Sequence, residues 1–121
     1  MDEKILIVDD EPNVLEGLQR VLRKDFTIVA AIGGEAGLKA VAEQGPFAVI
    51  VSDMRMPGMS GLELHNRLVE AGAPIPTILM TAFPNNIDEI SALQTGVVGY
   101  LTKPFNETEL LGLIHSVLKR F

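Results

Sequence analysis

Five short apolar runs alternate with five amphipathic segments along the chain, and this alternation constrains the fold more than any other feature. The apolar runs occupy residues 4–8, 27–30, 47–51, 77–80 and 97–101. Runs that are this short and almost continuously apolar are typical of strands buried on both faces, as in parallel sheets. The alternation therefore predicts a succession of strand–helix–strand units.

The segments between the runs carry apolar residues three or four positions apart, which is the spacing of one helix face. The predicted helices occupy residues 12 to about 24, a segment around 38–42 that ends at 45–46, about 62 to 71, a segment through 90 and 93 that ends at 96, and 107–119. Asn85 and Asn86 offer a cap for the fourth helix. Short right-handed crossovers then predict an α/β fold, a doubly wound parallel sheet with helices on both faces. We expect residues 1–121 to form a single domain.

Charge and cysteine content exclude several classes of function. Ten basic and sixteen acidic residues give a net charge of −6, so we expect no direct contact with nucleic acid, which needs a positive surface. The absence of cysteine excludes disulfide scaffolds and thiolate metal sites. No apolar run approaches the roughly 18 residues of a membrane span, and the acidic start is unlike a signal peptide. We therefore expect a cytoplasmic protein that makes no membrane contact.

Polar residues follow four of the five predicted strands. Asp9 and Asp10 follow the first strand, Asp53 the third, Thr81 the fourth and Lys103 the fifth. In an open parallel sheet the ligand site lies beyond the carboxyl ends of the strands. We therefore expect three carboxylates, a hydroxyl and an ammonium group to converge at one edge of the sheet.

The three carboxylates have two interpretations. Clustered negative charges raise one another's pKa, and a hard divalent cation removes that cost. An all-oxygen set of ligands suits Mg²⁺. The plainer alternative is that Asp9 and Asp10 cap the first helix, whose N-terminus favours carboxylates. Asp10 is able to serve both purposes.

Asp53 and Lys103 together indicate phosphoryl chemistry. A carboxylate can attack phosphorus and form an aspartyl phosphate, and a lysine can neutralise the phosphoryl oxygens. The alternatives are an ordinary loop aspartate and a solvated lysine. A cis bond before Pro104 would aim the lysine inward, but the sequence leaves that isomer open.

Three other side chains have plain structural interpretations. Tyr100 can be interpreted as a core aromatic residue. We expect His65 and His115 to be surface or boundary residues rather than metal ligands.

The sequence resembles the receiver domains of two-component response regulators along essentially its whole length. The motifs that carry the resemblance are ILIVDDEP at residues 5–12, SDMRMPGMSG at 52–61, MTA at 80–82 and YLTKPF at 100–105. Each motif alone is moderately specific, whereas all four in this order and spacing are highly specific. The resemblance implies a flavodoxin-like three-layer sandwich whose five strands have the order 2-1-3-4-5.

The resemblance also implies a chemistry for the strand ends. Asp53 would accept a phosphoryl group from the phosphohistidine of a sensor histidine kinase or phosphotransfer domain, with Lys103 pairing with the phosphoryl oxygens. Asp10, Asp53 and the backbone carbonyl of Arg55 would bind Mg²⁺ as the cofactor, and Asp9 would support the metal through water. Such a domain is a signalling switch rather than a classical enzyme, although it catalyses its own phosphotransfer and autodephosphorylation.

A second implication concerns the output. Thr81 would act as a catalytic and switch residue that moves toward the phosphoryl group, and Tyr100 would swing inward behind it. This motion would change the surface formed by helix 4, strand 5 and helix 5. That surface would control an unidentified effector domain or target protein, with phosphorylation-dependent homodimerisation as a further expectation. Arg55 and Phe83 vary in the family and would affect the lifetime of the phosphorylated form.

Three other classes of protein remain as alternatives. A Mg²⁺-dependent phosphohydrolase of the aspartyl-phosphate type generally has a second aspartate two residues after the nucleophile, where this chain has Arg55. A nucleotide-binding module would have a glycine-rich phosphate loop after the first strand, and the sequence has none there. A module for protein–protein contact alone would not require Asp53, Thr81 and Lys103 together.

Overall fold

The computed structural model describes residues 3–83 and 86–119, in which five strands alternate with five helices. The strands are β1 (Lys4–Asp9), β2 (Thr27–Ile32), β3 (Val49–Asp53), β4 (Thr77–Thr81) and β5 (Gly99–Thr102). The helices are α1 (Pro12–Leu22), α2 (Gly34–Gln44), α3 (Gly61–Glu70), α4 (Asn86–Gln94) and α5 (Glu107–Leu118). The alternation predicted from the sequence is confirmed. The cap expected from Asn85 lies outside the described residues.

All strand pairs are parallel, and the sheet has the order β2-β1-β3-β4-β5. This confirms both the doubly wound α/β fold and the predicted strand order. Strand β3 is therefore the middle strand, between β1 and β4, and all five of its residues are buried. The chain reverses its direction of winding at β1, whose neighbours are β2 and β3, so that the carboxyl ends of β1 and β3 border a crevice.

The sheet separates two apolar layers. One layer joins alternate strand residues to the inner faces of α1 and α5 and includes Leu18, Val51, Met80 and Ile114. The other joins the opposite strand residues to α2 and α3, with a smaller cluster beside α4. Burial of these two faces supplies the main driving force for folding. The described helices are 9 to 12 residues long, and none of them has the length and apolarity needed to cross a bilayer.

Strands β3 and β5 each begin two residues later in the chain than predicted from the apolar runs. The pairing of β3 with β1 begins at Val49 opposite Ile5, whereas the preceding Phe47 packs among the α2 and α3 side chains. Before β5, the amide of Val97 donates to the Ala92 carbonyl at the end of α4, so this valine belongs to a turn. Neighbouring backbone, and not side-chain polarity alone, therefore determines where each strand begins.

The other termini differ by smaller amounts, as expected for boundaries inferred from periodicity. Helix α3 begins one residue earlier than predicted, because the Ser60 hydroxyl caps it by accepting the amide of Glu63 over 3.0 Å. Helix α2 begins at Gly34, four residues before the segment predicted around 38–42. Three further differences are that α1 ends at Leu22, α5 ends at Leu118 and β2 continues to Ile32.

Candidate functional site

The carboxyl ends of β1, β3, β4 and β5 meet at one edge of the sheet, as the sequence predicts. A cavity of about 150 Å³ lies at this edge. Its lining residues are Asp10, Glu11, Asp53, Arg55, Thr81, Ala82, Phe83 and Lys103. The structure therefore brings the predicted acceptor, hydroxyl and ammonium groups to a single opening, which we call the carboxyl-edge site.

Three carboxylates of the carboxyl-edge site form a compact acidic group. Asp9, Asp10 and Asp53 each offer an oxygen atom, and these atoms lie within 4.8 Å of one another. Asp9 is fully buried, Asp53 is largely buried and Asp10 is half-buried. Three oxygens at this spacing, from residues of which Asp10 and Asp53 line the cavity, fit a hard divalent cation such as Mg²⁺.

Lys103 connects two of the three carboxylates. Its Nζ lies 3.3 Å from Asp9 Oδ2 and 3.3 Å from Asp53 Oδ1. The second oxygen of Asp9 accepts the amide of Glu11 over 3.0 Å. Asp9 is thus held by an ion pair and a backbone hydrogen bond, which compensates for the burial of its charge. The sequence pointed to Asp9 as a support for the metal or as a cap of the first helix, and it did not predict the ion pair with Lys103.

The electrostatic environment changes the proton affinity of both partners. Burial raises the pKa of the Asp53 carboxyl, the negative charge of Asp9 raises it further, and Lys103 offsets only part of this increase. Burial lowers the pKa of the Lys103 ammonium, but Asp9 and Asp53 outweigh this effect and leave the pKa raised. The raised pKa favours the protonated, positively charged form of Lys103. Asp53, by contrast, carries a negative charge that its surroundings do not fully neutralise.

The capping interpretation of the acidic pair is only partly right. The N-cap residue of α1 is Glu11, whose side chain makes no capping hydrogen bond. Asp9 accepts the Glu11 amide. The N-cap position considered for Asp10 is occupied by Glu11. Asp10 instead faces the cavity. The Lys103–Pro104 bond, which the sequence left open, is cis.

Thr81 and Tyr100 lie on the adjacent strands β4 and β5, where Thr81 is opposite Thr102 and Tyr100 is two positions before it. Thr81 is buried, and its hydroxyl oxygen accepts the amide of Phe83 over 3.1 Å. Tyr100 pairs in register with Leu79 and packs against the small apolar cluster beside α4, with its hydroxyl oxygen buried. The two side chains are thus on adjacent strands, and the switch between them stays a prediction.

His65 departs from the sequence expectation. It was predicted to be a surface or boundary residue, but it is 4% exposed and lies at the amino ends of β4 and β5. Its Nδ1 is 3.0 Å from the Thr77 hydroxyl, and its Nε2 donates to the Thr95 carbonyl over 3.1 Å. His115 is exposed on α5, where its ring centroid lies 5.6 Å from that of Phe26. The spacing of apolar residues in α3 did not indicate that the buried face of this helix includes the polar side chain of His65.

Sequence reasoning gave no role to Ser52, although this residue adjoins the predicted acceptor. Ser52 is fully buried and its hydroxyl donates to the backbone carbonyl of Asp53 over 3.0 Å. The available signal was a hydroxyl within an otherwise apolar buried strand, since such groups need a partner. Gly61 was also given no role, yet a Cβ atom there would lie 2.4 Å from the same carbonyl.

Comparison with known proteins places this arrangement in a family. The family model described as the response regulator receiver domain matches residues 5–115. The chain therefore belongs to the response-regulator receiver domains. It is a receiver domain of the two-component type, and its role is in signalling.

The relatives agree with this assignment. The chain is 36% identical over 121 residues to the DNA-binding response regulator MtrA of Mycolicibacterium smegmatis, a match that covers 99% of this chain and 52% of that protein. It is 37% identical over 117 residues to the transcriptional regulatory protein YkoG of Bacillus subtilis, covering 96% and 51%. The chain thus spans about half the length of the curated relatives it matches.

Solved structures give the same result for the fold. The receiver domain of Francisella response regulator 1452 superposes with a TM-score of 0.90 at 27% identity, and 98% of each chain is covered. The BeF₃-activated receiver domain of DrrB superposes with a TM-score of 0.87 at 28% identity, covering 99% of this chain and all of that one. The receiver-domain fold expected from the four motifs is confirmed.

Proposed function

We propose that Asp53 is the residue that accepts a phosphoryl group, and that its phosphorylation switches the domain. The observation that supports this most strongly is the Asp53 carboxylate, which ends the middle strand and lies 3.3 Å from Lys103 Nζ. The same carboxylate lines the cavity and belongs to the acidic group. A nucleophile, a countercharge and a set of metal ligands are the parts that phosphoryl transfer needs.

In the proposed reaction, a carboxylate oxygen of Asp53 attacks the phosphorus of a phosphohistidine on a histidine kinase or phosphotransfer protein. The new P–O bond forms as the P–N bond breaks, and the electron pair of the broken bond stays on the imidazole nitrogen. Lys103 moves little in this scheme, since it already pairs with Asp53 and can turn toward a phosphoryl oxygen. Its fixed charge stabilises the charge that develops in the transition state.

Asp10, Asp53 and the carbonyl of Arg55 are the proposed ligands of Mg²⁺. When bound, this ion would neutralise charge on the transferring phosphoryl group. Asp9 supports the site from behind, because its two oxygens are engaged by Lys103 and by the Glu11 amide. Its proposed role toward the metal is therefore indirect.

Loss of the phosphoryl group would follow by attack of water on phosphorus, with cleavage of the P–O bond to Asp53 and release of inorganic phosphate. Arg55 and Phe83 both line the cavity. They border the approach of that water, so they are proposed to set the lifetime of the acyl phosphate. Thr81 would assist by donating its hydroxyl to a phosphoryl oxygen.

The proposed output begins with Thr81. To reach a phosphoryl oxygen, its hydroxyl has to leave the Phe83 amide, which it now accepts. Tyr100 would then fill the vacated space, and the surface of α4, β5 and α5 would change. We propose that this surface controls an effector domain, a target protein or a second copy of the chain. The same proposal includes a histidine kinase as the phosphoryl donor, a cytoplasmic location and a single domain over residues 1–121.

The test is intact mass measurement after treatment with acetyl phosphate and Mg²⁺. We expect the wild type to gain the mass of one phosphoryl group, and Asp53→Asn to gain none. Asp25→Asn is the matched control, since Asp25 is exposed at the other end of the sheet. Omission of Mg²⁺ with excess EDTA should abolish labelling. Labelling of Asp53→Asn at the wild-type rate would disprove the assignment.

A further inference from the structure

Six polar or charged side chains are buried among the described residues, and five of them belong to sites described above. These five are Asp9, Asp53 and Thr81 at the carboxyl-edge site and His65 and Thr77 at the opposite end of the sheet. The sixth is Ser52, which is 0% exposed and directly precedes the proposed acceptor in the middle strand. A hydroxyl buried in this way needs a reason, because an apolar side chain would suit its surroundings better.

The Ser52 hydroxyl and the Asp53 carboxylate act from opposite faces of the sheet. Ser52 pairs in register with Val8 and Leu79, which belong to the layers on the side of α2, α3 and α4. Asp53 pairs with Met80, which belongs to the layer of α1 and α5. From its own face, the Ser52 hydroxyl donates to the Asp53 carbonyl over 3.0 Å. It thus holds the backbone of the acceptor without touching the acceptor's carboxylate.

Two further contacts fix the chain where it leaves β3. The Met54 amide donates to the Met80 carbonyl over 2.7 Å, and the Gly61 amide donates to the Met54 carbonyl over 3.0 Å. Gly61 also packs tightly here, since a Cβ atom would lie 2.4 Å from the Asp53 carbonyl oxygen and 2.9 Å from Ser52 Oγ. The peptide that joins Asp53 to Met54 is therefore held on several sides, and Ser52 supplies the contact to its carbonyl.

We propose that Ser52 is a positioning residue for phosphoryl transfer, acting through this peptide. Its hydroxyl fixes the Asp53–Met54 peptide and so sets the direction of the chain toward Arg55, whose carbonyl is a proposed Mg²⁺ ligand. The inference rests on the proposed function of Asp53. Without the hydroxyl, the Met54 amide still holds one side of the peptide, but the Asp53 carbonyl loses its side-chain donor. The peptide can then tilt, which shifts the Arg55 carbonyl relative to Asp10 and Asp53.

The experiment compares wild type, Ser52→Ala and Ser52→Cys. Mg²⁺ affinity is measured by titration without a phosphodonor, and the initial rate of acetyl phosphate labelling is measured at saturating Mg²⁺. We expect Ser52→Ala to weaken Mg²⁺ binding about three- to tenfold, which is less than the roughly 10- to 100-fold typical for loss of a group that holds a metal ligand directly, because Ser52 acts through a peptide. Cysteine has a similar size but donates weakly, so Ser52→Cys should give an intermediate value.

Thr77→Val is the matched control for stability. Thr77 is also 0% exposed, and its hydroxyl oxygen lies 2.9 Å from the Ile75 carbonyl and 3.0 Å from His65 Nδ1, at the other end of the same sheet. This variant should lower Tm to a similar extent and leave Mg²⁺ affinity within twofold of the wild type. Unchanged Mg²⁺ affinity in Ser52→Ala, whatever its Tm, overturns the inference. A wild type that binds no Mg²⁺ and takes no label would overturn the proposed function as well.

Discussion

The two ends of the sheet both contain buried polar groups, but they balance them in different ways. At the amino end, His65 bonds to the Thr77 hydroxyl and to the Thr95 carbonyl, and every partner is neutral. At the carboxyl end, oxygen atoms of three carboxylates lie within 4.8 Å of one another, and the ammonium of Lys103 contacts two of these carboxylates. The first group is satisfied by the chain itself, whereas the second keeps an excess of negative charge.

This difference indicates what each end is for. A closed hydrogen-bond network ties α3, β4 and the turn after α4 together and needs no ligand to be stable. An acidic group with more charge than the protein can neutralise is costly unless something else binds there. Buried negative charge that the protein does not neutralise, beside a cavity, therefore indicates a binding site. A buried network of neutral hydrogen-bonding groups indicates a structural role.

The largest expected effect comes from removing the ammonium group that pairs with two carboxylates at the carboxyl end. Lys103→Ala leaves Asp53 without its 3.3 Å partner and Asp9 buried without an ion pair. We expect acetyl phosphate labelling of Asp53 to slow about 100-fold, the usual effect of removing one group that stabilises a transition-state charge. The measurement is the initial rate by intact mass at a fixed Mg²⁺ concentration.

The control for Lys103→Ala is Lys39→Ala, which makes the same charge change at an exposed position on α2. It should label at the wild-type rate. Any Lys103→Ala protein that does become labelled should show smaller NMR shift changes at Thr81 and Tyr100 than the labelled wild type. A labelling rate within threefold of the wild type would mean that Lys103 has no part in the reaction.

At the amino end, the expected effect is on stability alone. His65→Leu keeps a side chain of similar size but removes hydrogen bonds to the Thr77 hydroxyl and the Thr95 carbonyl. Two such bonds contribute about 2 kcal/mol to the free energy of unfolding. Urea unfolding should show this loss, while Asp53 labelling per folded molecule should stay within twofold. His115→Leu, on the exposed face of α5, should change the stability by less than about 0.5 kcal/mol.

A tenfold loss of labelling in His65→Leu would contradict the separation of the two ends. It would mean that the network around the α4–β5 turn influences the carboxyl-edge site through β4. Retention of both stability and labelling would instead mean that the buried imidazole contributes no more than leucine does.

The sequence predicted the carboxyl end far better than the amino end, and the physical reason is the topology. Parallel strands have their carboxyl ends at one edge, so residues that follow the strands must meet there wherever the exact boundaries fall. The convergence of Asp53, Thr81 and Lys103 therefore survived errors of two residues in β3 and β5. Which carboxylates Lys103 would contact was not predictable, because that depends on side-chain distances across three strands.

Burial within helices was harder to predict. His65 lies between Leu64 and Leu68 on α3, close to the apolar face but not required by its periodicity. Whether such a residue is buried depends on the width of the contact with β4 and the α4–β5 turn, which the pattern of one helix does not contain. Similarly, the hydrogen-bond acceptor for Ser52 is a backbone carbonyl. Because every residue has such a carbonyl, the sequence does not indicate which one the hydroxyl contacts.

The smallest expected effect is a pH dependence that arises from the excess charge at the carboxyl end. Burial and Asp9 raise the pKa of Asp53 in the folded protein, and Lys103 offsets only part of that rise. Between the unfolded value of about 3.9 and the raised folded value, the folded state binds more protons. The free energy of unfolding therefore falls as the pH rises through this window, and the loss is complete above the folded pKa. Asp53→Asn removes the charge and should be more stable than the wild type at pH 7 without metal, by on the order of 1 kcal/mol.

Thermal unfolding of both proteins in EDTA between pH 4 and pH 7 measures this difference. It should shrink as the pH falls, because the wild-type carboxyl becomes protonated and loses its repulsion from Asp9. Asp25→Asn should show no such trend, since that side chain is exposed. Adding Mg²⁺ at pH 7 should stabilise the wild type more than Asp53→Asn, since a ligand stabilises the state that binds it. An Asp53→Asn protein that is less stable than the wild type at pH 7 in EDTA would mean that Lys103 fully compensates the acidic group, and the contrast between the two ends of the sheet would not hold.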